Sequence, residues 1–210
     1  ELGWQRIRTN KQIEGRGRRE STWVSDEQDL LATWNIKKAI LDNINPGVLQ
    51  IIIGTKISDL LGQYCKWPND ILDSNGGKIG GILIEMDNQE EHIRIGIGIN
   101  YLTKQIGGMK VTGWDKKTSE ITTNDMSQMI DAILSSLFEE HELLAHSLSY
   151  DILKKDSWRG LSKLLSRGYS LKIKDEKTRI IGLDDDGGLS IFMEGEKSHN
   201  QRIDELTWLF

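Results

Sequence analysis

Two stretches of this chain hold the residue types that do chemistry. The first is Gly15-Arg16-Gly17-Arg18-Arg19, followed by Trp23. Glycine lets main-chain N–H groups approach an anion closely, and guanidinium forks match the oxygens of phosphate and carboxylate. A solvated basic loop is the plainer account of a charge run; the interleaved glycines are what favour a phosphate-bearing ligand. The second is Lys66-Trp67-Pro68-Asn69-Asp70. Pro68 has no N–H and a fixed φ, so a strand running through Tyr64 to Trp67 leaves its ladder there. Asn69 and Asp70 can bond their own backbone and shape the bend. Lys66 is thereby held at a strand end, where an amine can reach into a cleft. Such cations suit a reaction that joins a carboxylate to ATP. Two anions must be brought together, and positive charge aimed at the α-phosphate stabilises what develops during attack. Mg²⁺ would neutralise the leaving pyrophosphate, and no covalent nucleophile is required.

Other chemistries lack their signatures. The G-x-x-x-x-G-K-[ST] loop is missing, and Gly96-Ile97-Gly98 runs into Asn100 and Tyr101 without the helix that a dinucleotide fingerprint needs. His92, His141, His146 and His199 do not have metal-ligand spacing, so no metal site is expected. No G-x-S-x-G element supports Ser/His/Asp catalysis. Asp184-Asp185-Asp186 precedes two glycines and reads as a tight β-turn. Cys65, the single cysteine, reads as core filler rather than a nucleophile.

With 210 residues, 37% of them hydrophobic, the chain can build one full core and a small appendage. Its net charge of −5 argues against a dedicated nucleic-acid binder. No apolar run reaches the length of a membrane span and no secretory h-region opens the chain. One cysteine excludes an intrachain disulfide and fits a reducing compartment, so the expected location is cytoplasmic.

The elements that must position these residues follow from periodicity. Leu2 to Thr9 and Leu30 to Ile36 read as strands, with a Gly-, Arg- and Ser-rich loop over 15–25 between them. Lys37 to Asn45 is ambiguous and closes on Asn45-Pro46-Gly47. Val48, Leu49, Ile52, Ile53, Ile57, Leu60 and Leu61 recur at helical spacing, predicting a helix over about 47–63 that buries one face. A strand to Leu72, a turn at 73–77 and a strand from Lys78 to Met86 form a hairpin marked by Asn75-Gly76. Ile93 to Ile99 alternates with Arg94, Gly96 and Gly98, a strand whose glycines admit close approach of another group. Residues 101–121 are irregular. From about Asp125, Met126, Met129, Ile130, Ile133, Leu134 and Leu137 form the apolar stripe of a second helix, with the methionines as core packing. A weaker helix is expected over 147–157. Beyond a boundary near 163–168, short strands at 170–174, 178–183, 189–193 and 205–210 suggest a small barrel.

Taken together and in order, these stretches resemble the biotin protein ligase family. Gln12 through Trp23 is similar to its biotinyl-adenylate loop, and Lys66 through Asp70 to its most distinctive motif. Lys78-Ile79-Gly80-Gly81-Ile82-Leu83-Ile84-Glu85 and Ile95 through Asn100 are similar to two family strands. Asp204 through Leu209 is similar to the closing strand of its SH3-like domain. The resemblance implies an α+β fold, a mixed sheet packed on helices of the class II aminoacyl-tRNA synthetase/biotin ligase type with a small C-terminal SH3-like β-barrel. The domains implied are a catalytic one over 1–165, N-terminally incomplete, and the SH3-like one over 166–210. It implies a reaction of biotin with ATP to biotinyl-5′-AMP, then transfer to a lysine. The partner implied is a biotin carboxyl carrier protein or other biotin acceptor domain, with neither DNA nor membrane, and a homodimer is compatible.

On matching positions, Gln12 is expected to bond the biotin ureido group. Gly15, Arg16, Gly17 and Arg18 are expected to wrap the carboxyl and phosphate, with Arg19 supporting the loop. Lys66 is expected to contact the acyl-phosphate oxygens, Trp23 to pack on adenine and Asn100 to lie near the nucleotide; Lys66 and Arg18 carry the catalysis. The family's Ser-Thr-Asn element is expected upstream of this loop, and the sequence starts too late to include it. Glu20 stands where the family commonly has glycine, a carboxylate expected to weaken the hold on an anionic intermediate. The usual Pro-Gly pattern before Leu31 is also replaced. A catalytically impaired fragment, or a non-catalytic biotin- or acceptor-binding relative, is therefore the alternative. A lipoate or octanoate transferase fits less well, because the Lys66–Asp70 pentapeptide belongs to the biotin branch.

Overall fold

The structure, a computed structural model, describes residues 4–41, 45–86, 91–106, 109–114, 120–144, 163, 170–173, 176–183, 187–193, 199–200 and 207–209. Two sheets and two α-helices account for most of these. The first sheet contains β1 (Trp4–Thr9), β2 (Leu30–Lys37), β3 (Tyr64–Lys66), β4 (Asp70–Leu72), β5 (Lys78–Met86) and β6 (His92–Ile99). Their spatial order is β1-β2-β6-β5-β4-β3, and every neighbouring pair is antiparallel. Instead of the expected mixed sheet, the six-strand path is antiparallel throughout. Its parallel component is one residue pair, Lys78 with Val111 of β8. β8 (Met109–Val111) and β7 (Lys104–Ile106) form a small hairpin inside the stretch expected to be irregular.

β2 and β6 alternate as their sequences require. Ile93, Ile95, Ile97 and Ile99 point to one face with Leu30, Trp34 and Ile36, all of them buried. Helix α1 (Pro46–Leu60) and helix α2 (Thr123–Leu144) contribute to the same core. α1 starts where Asn45 accepts a hydrogen bond from Gly47 N at 2.7 Å, with Pro46 in the first turn. The expectation that it buries one face is corrected by its surroundings: nearly every residue from Val48 to Ser58 is buried, including Gln50, Thr55 and Ser58. A helix apolar almost all round belongs in an interior. α2 is amphipathic, with Met126, Ile130, Leu134, Leu137 and Phe138 buried, whereas Met129, expected in that stripe, is 36% exposed. Thr122 and Asp125 cap its start reciprocally: Thr122 N donates to Asp125 at 2.8 Å and Asp125 N to Thr122 Oγ1 at 3.2 Å. Those bonds to Thr122 lower the pKa of Asp125. Trp34 Nε1 donates to Asp131 at 2.7 Å, fastening α2 to β2.

The second sheet has the order β12-β11-β10-β9-β13. Its strands are β9 (Ser170–Ile173), β10 (Glu176–Leu183), β11 (Leu189–Met193), β12 (His199–Asn200) and β13 (Thr207–Leu209). Among the described residues no pairing joins β12 to β13, so what is seen is a five-stranded antiparallel sheet. The helix expected over 147–157, the Asp184–Asp186 turn and most of the domain boundary lie outside the described residues. Among those described, no helix is long and apolar enough to cross a membrane.

Candidate functional site

The face of the first sheet turned away from the helices carries the site, and register builds it. Leu31 pairs with Gly98, Gly98 with Gly81, Gly81 with Asp70, and Asp70 with Lys66. One transverse row therefore crosses five strands as Leu31–Gly98–Gly81–Asp70–Lys66. The next row is Thr33–Gly96–Leu83. Because side chains of paired residues share a face, the two rows present a floor bare of side chains at Gly96, Gly98 and Gly81, ending in a carboxylate and an amine.

Residues 12–23 fold over this floor. Trp23 N donates to Gly15 O at 2.8 Å and Gly17 N to Ser21 O at 2.7 Å; Arg16 bridges Thr22. Gly15 is needed for this closure, since a Cβ there would lie 2.3 Å from Trp23 O and 2.8 Å from Gln12 Oε1. Arg19, at the outer turn over Arg18–Glu20, has φ 51° and ψ 47°, a left-handed conformation that costs a non-glycine residue on the order of 1–2 kcal/mol. The Glu20 side chain lies outside the described residues. Trp23 lies flat on the glycines: a Cβ on Gly98 would come within 2.6 Å of Cζ2, and one on Gly81 within 3.5 Å of Cζ3. The close approach predicted for the Ile93–Ile99 glycines is therefore made by Trp23. Its Nε1 is buried without a hydrogen-bond partner.

Between loop and floor is a cleft of about 480 Å³. The loop contributes Gln12, Glu14, Arg16, Gly17, Arg18 and Trp23; the sheet contributes Thr33, Leu83 and Glu85 beside the glycines; Asn69, Asp70 and Lys78 form one edge. Arg16 spans the opening to Glu85 at 3.2 Å. At the edge, Asp70 meets two lysines, Lys78 at 2.7 Å and Lys66 at 3.8 Å. The Lys78 amine also lies 5.4 Å from the centroid of the Trp23 ring, within cation–π range.

Of the residues singled out from sequence, Gln12, Arg16, Gly17, Arg18 and Trp23 line the cleft together. Gly15 shapes the loop and Arg19 stands at its outer turn. Lys66 is at the end of the row, at the strand end expected for it, linked to the cleft through Asp70. Asn100 is set apart: it is 2% exposed, and both its N and its Nδ2 donate to Ile79 O, at 2.8 and 2.9 Å. It is not among the residues that line the cleft. Cys65 is buried against Gly54, and burial raises its pKa from 9.0 to about 12. It is core filler, as its residue type indicated.

Sequence reasoning did not assign Lys78, Glu85 or Glu14 to a site. Alternation along β5 from Gly81 would have put Leu83 and Glu85 on the glycine face. Lys78 escapes that signal because the β4–β5 register shifts between Ile71 and Leu72.

Comparison with known proteins bears on the fold. Residues 6–100 match the Biotin/lipoate A/B protein ligase family. A biotin–[acetyl-CoA-carboxylase] ligase from Paracoccus denitrificans is 30% identical over 105 residues, covering 45% of this chain and 43% of that protein. The bifunctional ligase/repressor BirA of Bacillus spizizenii is 35% identical over 100 residues, 43% of this chain and 30% of its own length. The match thus spans less than half of either relative. Among solved structures, the biotin protein ligase of Aquifex aeolicus in complex with biotin and ATP superposes with a TM-score of 0.73 at 22% identity, over 97% of this chain and 88% of that one. The Leishmania major enzyme with biotinyl-5-AMP gives 0.64 at 20% identity, over 95% and 89%. These two likenesses establish the fold. Over residues 6–100, just under half of the chain, the sequence is similar to the Biotin/lipoate A/B protein ligase family.

Proposed function

We propose that this chain is an ATP-dependent biotin–protein ligase. The biotin carboxylate attacks the α-phosphorus of ATP, pyrophosphate leaves, and the acceptor lysine amine then takes the biotinyl group from biotinyl-5′-AMP with release of AMP. The observation that best supports this reading is the row Leu31–Gly98–Gly81–Asp70–Lys66 lying under the glycine–arginine loop. It combines a glycine floor covered by the Trp23 indole with cations contributed by the loop and by the Lys66–Lys78 edge.

Each residue has a role in this reading. Gln12 bonds the ureido group of biotin. Gly15 and Gly17 bring main-chain donors to the carboxyl and phosphate, and Arg16 and Arg18 supply guanidinium forks. Arg16 would exchange Glu85 for the ligand's oxygens. Arg19 supports the loop. Trp23 packs on adenine, and Lys66 stabilises charge on the acyl-phosphate. Asn100, fixed to Ile79, holds the strand end after Gly98. Among the described residues no group of three or more His, Cys, Asp or Glu side chains is arranged to hold a metal. Magnesium is therefore proposed to come as the MgATP complex, held largely by phosphate oxygens. The partner is a biotin carboxyl carrier protein or another biotin acceptor domain.

Incubation of the chain with an acceptor domain, biotin and MgATP, followed by intact-mass measurement, tests the proposal. A gain of one biotinyl group supports it, and Lys66→Ala should lower the rate by about two orders of magnitude, as removal of one electrostatic donor does, while leaving circular dichroism unchanged. No gain from a chain that is folded by circular dichroism would replace this reading with a non-catalytic relative.

A further inference from the structure

The loop that folds over the floor has to be held in place from outside itself. The main-chain bonds that shape it join loop to loop, Trp23 N to Gly15 O and Gly17 N to Ser21 O. Its ion pair to the sheet, Arg16 with Glu85, has an Arg16 side chain that is 71% exposed, a setting in which such a pair contributes little. The approach from β1 through Thr9, Asn10 and Lys11 is exposed as well. The exit toward β2 is different. Residues 26–29 form a turn closed by Asp29 N donating to Asp26 O at 3.0 Å. The Asp29 side chain is fully buried, and three segments meet its carboxylate. Asp26 N donates to Oδ2 at 2.8 Å, Tyr101 N donates to Oδ1 at 3.0 Å, and Lys104 Nζ lies 2.5 Å from Oδ2. The same ammonium reaches Asp26 Oδ2 at 3.1 Å, so it clasps the turn at both corners. Lys104 belongs to β7, and Tyr101 stands two residues past β6, the strand that carries Gly96 and Gly98.

A carboxylate taken wholly out of water needs a compensating charge, and two backbone N–H groups do not supply one. Lys104, its own side chain 14% exposed, does. Without that ammonium the turn could relieve the buried charge by swinging Asp29 out to water. Trp23 stands three residues before Asp26, no more than about 10 Å of chain, so its ring moves with the turn. We propose that Asp29 and Lys104 are a positioning pair: they pin the return leg of the loop to β7 and to the end of β6, and so set Trp23 on the glycine floor. The consequence for catalysis rests on the ligase reading, but the hold on the loop is a property of the unliganded protein.

Hydroxyl-radical footprinting of the unliganded full chain, read by mass spectrometry at individual tryptophans, tests that hold. Half-buried Trp23 reports the position of the loop, and Trp34, fully buried in β2, reports the core of the first sheet. In Lys104→Met, oxidation of Trp23 should rise about three-fold or more with Trp34 unchanged, a local opening that leaves the core intact. Lys104→Arg keeps the charge and should stay near wild type. Asp29→Asn can still accept from Tyr101 N, should also raise Trp23 oxidation, and carries the test if Lys104→Met does not fold. Because both changes break one interaction, Asp29→Asn/Lys104→Met should fall well short of the product of the two single effects. In an active enzyme the released loop should raise KM for MgATP about ten-fold and alter kcat less, since Trp23 is the residue proposed to pack on adenine. Unchanged Trp23 oxidation, a rise shared equally by Trp34, single effects that multiply, or an unmoved KM in an active enzyme overturns the inference. If footprinting behaves as expected while wild-type protein makes no adenylate, the ligase reading fails and the hold on the loop stands.

Discussion

Lys66 owes its exposure to its neighbours. Cys65 is 2% exposed and Trp67 7%, so two inward pegs leave the lysine between them on the glycine face. The Cys65 peg is tight, with Sγ 2.9 Å from where a Cβ on Gly54 would stand. Its thiol has its pKa pushed from 9.0 to about 12, chiefly by burial. The sign of the linkage follows. Below about pH 9 both folded and unfolded chains keep the proton and Cys65 contributes no pH dependence. Above it the unfolded thiol ionises while the folded one does not, so stability falls as pH rises toward 12. Urea unfolding of wild type and Cys65→Ala, measured from about pH 8 to about pH 10.5, should show the steeper alkaline loss in wild type. Parallel slopes would mean that the thiol ionises in the native state. Thiol reagents at neutral pH should leave the folded chain unlabelled.

At the scale of elements, the site is an apposition of loop on sheet, and Gly98 is where they touch. A methyl group there would lie 2.6–2.7 Å from two atoms of the Trp23 ring, so Gly98→Ala must displace the indole or the strand. Overpacking of this kind costs about 1–3 kcal/mol. The expected outcome is a lowered melting temperature and weaker ATP binding. In a Trp23→Ala background the same substitution should cost almost no stability. Additive losses in the double variant would show that the methyl group meets something else. The strands β2, β5 and β6 were legible because alternation is a local signal, and so was the start of α1, where Asn45-Pro46 forms a cap. α1's burial on nearly all sides was not legible: two layers cover it, and periodicity reports only one. The β7–β8 hairpin was missed because strands of three residues each carry too little pattern. The glycine–arginine loop and the Lys66 strand end could be read directly. Their meeting could not, because it depends on pairings such as Leu31–Gly98 between residues far apart in sequence, a register set by tertiary packing. Lys78 entered the site by the same route.

Across the whole molecule, the connection between the two sheets passes through the residue next to Lys66. Trp67 Nε1 donates to Gly187 O at 2.7 Å in a buried position. Gly187 has φ +82°, and a Cβ on it would lie 2.8–2.9 Å from Gly47 C and Val48 N at the start of α1. The turn that leads into β11 is thus seated between the first turn of α1 and the Lys66–Asp70 motif, where only glycine fits. Gln50, one turn into α1, faces Pro68 O at 3.5 Å from the other side. The second sheet therefore bears on the segment that presents Lys66. Trp67→Phe keeps an aromatic ring but removes the pyrrole portion with its N–H, leaving a buried carbonyl unpaired at a cost of about 1–3 kcal/mol on top of the lost packing. If this bond fastens the second sheet, the loss should be uneven. Hydrogen exchange should quicken at Leu189 and Ile191 in β11 and change little at Ile95 and Ile97 in β6, which sit in the first sheet's own core. Gly187→Ala, which strains the same turn and so shifts the carbonyl that accepts from Trp67, should give the same pattern and be the more destabilising of the two. Equal acceleration in both sheets would show instead that they unfold as one unit, with Trp67 an ordinary member of a shared core.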